Sequence, residues 1–77
     1  MKFNALDTAI ISRKKLIKAI NALRKERMEN MNKEQTPEVK EYIKVLNARL
    51  SEKWAYYNDL IKTQKLLEDS GMVPTIQ

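Results

Sequence analysis

The 77 residues include 15 Lys plus Arg, 10 Asp plus Glu, one Gly and neither His nor Cys, which describes one small basic domain. A chain of this length buries only about 60% of its unfolded surface, so a lone monomer is marginal. With no thiol and no imidazole there is no disulfide framework, no usual zinc site and no cysteine or histidine catalyst, which argues against an enzyme. Residues 1–7 lack the apolar core of a signal peptide, and no apolar run approaches the roughly 18 residues of a membrane span. A cytoplasmic protein without membrane contact is expected.

In chain order, Asn4 is the first helix cap, and Asp7 places a negative charge in the first turn. Leu6, Ala9, Ile10, Leu16, Ile17, Ile20, Leu23, Met28 and Met31 then share one side of a wheel drawn at about 100° per residue. This predicts helix one over about residues 5–32. A polar stretch follows, with the loop at about 33–36, and Thr36-Pro37-Glu38 supplies a cap, a proline at the first helical position and an early acid. Val39, Ile43, Leu46, Leu50, Trp54, Tyr57 and Ile61 form the next stripe, predicting helix two over about 37–70, where Ser70-Gly71 and Pro74 end it. In that stripe Val39, Leu50 and Ile61 recur at a spacing nearer a straight or slightly right-handed supercoil than a strict heptad. The tail, 71–77, is expected to fray, with folding back on the bundle or docking on a partner as the alternatives.

Helices on the order of 40 and 50 Å joined by a short loop fold back antiparallel, so the expected fold is an all-α helical hairpin forming one domain over 1–77. On helix two the apolar arc continues into Tyr42, Val45, Tyr56, Leu60 and Leu67 and covers about half the circumference. One neighbouring helix cannot cover that arc. A homodimeric four-helix bundle is the economical solution, and a different protein partner is the competing one. Trp54 and the tyrosines are read as packing residues rather than as ligand contacts.

Residues 1–35 carry nine basic and four acidic side chains, and residues 36–77 carry six of each, so the whole net charge of +5 falls on the first half. Lys14, Lys18, Asn21 and Lys25 form a row opposite the core that suits a phosphate backbone as well as it suits plain solvent. Arg13, Arg24 and Arg27 point into the core arc. With the turn near Lys33, Arg27 should face Glu41, and Arg13 should face Trp54 and Tyr57. The alternatives are stems lying along the core rim, or an arginine held for an acidic surface elsewhere. On helix two, Glu41, Glu52 and Asp59 form one row, while Lys40, Lys44, Lys62 and Lys65 form another edge, an arrangement suited to pairing between hairpins. The basic segment from Ile10 to Met28 shares its pattern with membrane-surface and calmodulin-groove peptides, but the matching stripe on helix two occupies its apolar face.

Two functions follow as expectations. The first is a non-enzymatic protein-binding module, an inhibitor, adaptor or assembly component, working through Tyr42, Val45, Arg49, Tyr56 and Leu60. The second is a dimeric nucleic-acid-binding regulator contacting phosphates through Lys14, Lys18, Asn21 and Lys25. Neither calls for a cofactor, a metal or a small-molecule substrate.

Overall fold

The structure, a computed structural model, describes residues 3–76. Two helices make up the fold, α1 (Ala5–Met31) and α2 (Pro37–Asp69). They pack against each other as a hairpin measuring 52 × 21 × 15 Å, the long dimension being about that of α2 at 1.5 Å per residue.

The seam between the helices follows a strict seven-residue repeat. On α1 the inward positions are Leu6, Ala9, Arg13, Leu16, Ile20, Leu23, Arg27 and Asn30; on α2 they include Val39, Ile43, Leu46, Leu50, Tyr57, Leu60, Gln64 and Leu67, all buried or half-buried. With the exposed Lys53 counted between Leu50 and Tyr57, both series alternate steps of three and four, the pattern of a left-handed coiled pair. This corrects the straighter stripe read from the sequence. Trp54 and Ile61, placed in that stripe, are each 39% exposed, while Leu60, placed on the outer band, packs against the core cluster of Leu16, Ile20 and Leu50. Met28 and Met31 are likewise exposed, because the seam at that end runs through Arg27 and Asn30.

The connection satisfies the helix ends with side chains. Gln35 Nε2 donates to the carbonyls of Asn30 at 3.1 Å and Lys33 at 2.9 Å, tying the last turn of α1 to the loop that follows it. The buried Asn30 donates from Nδ2 to the Glu26 carbonyl at 2.8 Å. Thr36 caps α2 by accepting from the Val39 amide, and Pro37 follows at a position that needs no amide donor.

At the far end α2 closes in a Schellman turn. The Met72 amide donates to the Leu67 carbonyl and the Gly71 amide to that of Glu68, with Gly71 at φ 93°, where a side chain would be strained. The turn aims the tail back at the start of α1, and the described tail is docked rather than frayed; Gln77 lies outside the described residues. Asp7, which the sequence reading treats only as a first-turn charge, is fully buried and organises this contact. Its carboxylate accepts from the Asn4 amide at 2.9 Å, from the Thr75 amide at 2.7 Å, from the Ile76 amide at 3.2 Å and from the Thr75 hydroxyl. Asn4 returns a cap to the Asp7 amide at 2.8 Å and donates from Nδ2 to the Val73 carbonyl at 2.9 Å.

Burial pushes the Asp7 carboxyl up, but the hydrogen bonds from Thr75, Asn4 and Ile76 outweigh it and bring the pKa down from 3.8 to about 2. The folded state therefore holds its proton less tightly than the unfolded chain. The stabilisation it gives is complete above about pH 4 and is lost as pH falls toward about 2. The protection factors of the Thr75 and Ile76 amides, each measured by NMR against the intrinsic exchange rate at that pH, should fall over that window, and in Asp7→Ala both amides should be unprotected at every pH.

Candidate functional site

The surface holds two candidate faces. Looking outward from the seam, α2 carries Trp54 and Ile61 on one flank, and Tyr42, Val45, Arg49 and Tyr56 on the other, the two flanks lying about 140° apart at about 100° per residue. The single broad band read from the sequence is thus two edges divided by the seam. Leu60 and Leu67 drop out of the band because they are seam residues.

The Trp54 flank is a structural edge. Trp54 and Tyr57 stack edge to face, with ring centroids 5.4 Å apart and planes at 86°, an arrangement worth about 0.5–1.5 kcal/mol beyond its buried area. Tyr57 turns into the hairpin and shares an open groove with Arg13, Lys14, Ile17 and Lys18. Arg13 therefore lies beside Tyr57, one of its two expected neighbours.

The Tyr42 flank is open to solvent. Tyr56 is 54% exposed and Val45 is 39% exposed, with Arg49 exposed between them. Tyr42 anchors this edge to α1, its hydroxyl donating to Glu26 Oε1. That hydrogen bond, with desolvation and the Glu26 charge adding to it, raises the Tyr42 pKa above 10.0, against a smaller opposing pull from Arg49. The pairing at this end also corrects a sequence expectation. Arg27 donates to Asn47 Oδ1 at 3.0 Å instead of meeting Glu41, and Arg24 is exposed rather than directed into the core arc.

Lys14, Lys18, Asn21 and Lys25 are all exposed on the outer face of α1, a row spanning about 16 Å at helical rise. The acidic and basic rows of α2 form little within the hairpin. Among the described residues the ion pair present joins Lys44 to Glu41, one turn apart at 3.9 Å on the surface, a contact worth at most about 1 kcal/mol. Among those residues no group of three or more acidic side chains is placed to hold a metal ion, and no helix is long and apolar enough to cross a membrane. The grooves are open and of mixed lining, without a converging set of reactive groups.

No family model, curated protein or solved structure matches the chain.

The Tyr42 anchor is testable by ultraviolet titration of the three tyrosines. Tyr42 should ionise above 10.0, and Glu26→Gln should bring it back down toward 10.0.

Proposed function

We propose that the chain is a non-enzymatic protein-binding module, an inhibitor, adaptor or assembly component, which engages helices of its partner along the Tyr42 edge of α2. The observation that carries this reading is the edge itself: two tyrosines, a valine and an arginine exposed along one long helix, with Tyr42 tied to α1 through its hydroxyl. Tyrosine and arginine are enriched at interface hot spots, and an apolar edge left in water gains by being covered. A second hairpin completing a four-helix bundle would cover it with an isologous contact. The binding needs no metal, cofactor or small-molecule substrate, and the cytoplasm is its expected place.

The second reading is a dimeric regulator that holds a nucleic-acid backbone on Lys14, Lys18, Asn21 and Lys25. It is supported by the exposed row, to which Arg13 and the adjoining groove add charge. Phosphate contacts of that kind position a protein without reading sequence.

A photocrosslinking residue placed at Tyr56, and separately at Lys18, distinguishes the two in expressing cells. Protein binding predicts strong adducts from position 56 that are destroyed by protease and resist nuclease. Nuclease-sensitive adducts from position 18, with none from 56, would overturn it. If the regulator reading holds instead, affinity for duplex should fall steeply with salt, and Lys14→Glu, Lys18→Glu and Lys25→Glu combined should abolish binding with helicity unchanged.

A further inference from the structure

We infer that the Tyr42 edge of α2 docks on the same edge of a second copy, antiparallel about a two-fold axis between Leu50 and Ser51, with Arg49 of each chain paired to Glu52 of the other. The inference rests on the protein-binding reading and names its partner.

Along this edge Tyr42, Val45, Arg49, Glu52, Tyr56 and Asp59 alternate steps of three and four, and all are exposed. This is a second seam with the period of the first, and a helix needs that period to follow another helix along its length. When such a seam pairs antiparallel with itself, residues equally distant from the axis face each other. With the axis between Leu50 and Ser51, Arg49 meets Glu52, Val45 meets Tyr56 and Tyr42 meets Asp59, each contact occurring twice. The two central pairs are opposite in charge, and the next pairs outward are apolar. Outermost, Tyr42 faces Asp59 with its ring, since its hydroxyl is held by Glu26 of its own chain.

Other registers match less well. A shift of one heptad toward the loop sets Arg49 against Val45 and Glu52 against Tyr42. A shift the other way keeps Arg49 opposite a carboxylate, Asp59, but sets Glu52 against Tyr56 and Val45 against Thr63, so the apolar pairs beside the axis are lost. Charge balance points to the same face. Residues 36–77 hold equal numbers of acids and bases, so two α2 edges approach without net repulsion while the basic rows of α1 stay outward.

The test is light-scattering mass over a dilution series of the full chain and of Arg49→Glu, Glu52→Arg and the double exchange, with circular dichroism confirming helicity and Lys44→Glu as a control off the seam. The wild type should sit near twice 9.1 kDa at micromolar concentration. Each single reversal should raise the dissociation midpoint at least about tenfold, and the double exchange should recover it, because two ion pairs are lost and then rebuilt with inverted sign. Lys44→Glu should leave the midpoint in place. Unchanged singles, or a double exchange that fails to recover, overturns the register. A wild type that stays at 9.1 kDa throughout overturns self-docking altogether. If position 56 still gives protease-sensitive adducts in that case, the protein-binding reading survives with a different partner, and the two failures are told apart.

Discussion

Leu16 and Ile20 on α1 close over Leu50 on α2, and this apolar contact holds the register of two helices that are each other's only described neighbour. Nothing on the described chain covers a mismatch, so each seam position must meet its counterpart along some 40 Å of helix. The seam is not wholly apolar. Arg13, Arg27, Asn30, Lys53 and Gln64 fall on its repeat, and the Gln64 Oε1 is enclosed with no hydrogen-bond partner among the described residues, a cost of about 1–3 kcal/mol. Polar residues at such positions oppose slippage, since sliding by a turn would carry them against Leu46 or Leu50. Arg27 meets Asn47 only in the native register, so the seam exchanges some stability for a single alignment.

The open end of a hairpin is its weakest point, because the helix termini there have free backbone groups and no loop to hold them together. Asp7 addresses both. Its carboxylate closes the capping box with Asn4 and gathers the amides of Thr75 and Ile76, so the first turn of α1 and the chain after α2 share one buried acceptor. The Schellman turn at Gly71 is what makes this reach: only after that reversal does the tail run back over α1. Leu6, fully buried beside Asp7 in sequence, shows that this end is packed as well as hydrogen-bonded.

Much of the hairpin was legible in the sequence, and the parts that were not share a cause. Asn4, Thr36-Pro37 and Ser70-Gly71 mark helix ends through local chemistry, which needs no knowledge of the partner helix. Trp54 and Ile61 were misplaced because a wheel at 100° per residue assumes a straight helix. A coiled pair keeps a seam at 3.5 residues per turn, and the two differ by about 20° per heptad, or about 90° over the length of α2. That drift carries the straight-helix stripe off Leu60 and onto Ile61. The Arg27 contact was misjudged for a related reason, since equal helical rise identifies facing turns but does not choose between Glu41 and Asn47. The tail could have been read further, because an Asn with an Asp three residues on is a capping-box pattern. No local signal, however, announces that the same Asp will accept donors from the other end of the chain. Of the candidate site, the outward positions of Tyr42, Val45, Arg49, Tyr56 and the lysine row were legible from periodicity; the separation of the Trp54 flank from the Tyr42 flank was not.

The seven-residue repeat also constrains what the outer surface can do. On a straight helix a second set of positions spaced by three and four would wind gradually around the axis and leave any flat partner within a few turns. Because the Tyr42 edge of α2 and the lysine row of α1 repeat every seven residues, as the seam does, each keeps a constant angle to it. The packing that stabilises the hairpin is therefore also what keeps each face straight enough to meet another long object, a helix in one case and a phosphate backbone in the other. The two faces differ in charge rather than in geometry. The α1 row concentrates the chain's net positive charge, whereas the α2 edge sets Arg49 beside Glu52 between Val45 and Tyr56 on a charge-balanced helix. A polyanion gains from the first arrangement and nothing from the second, while another helix with alternating chemistry gains from the second, which is why the α2 edge is the better candidate for a protein partner.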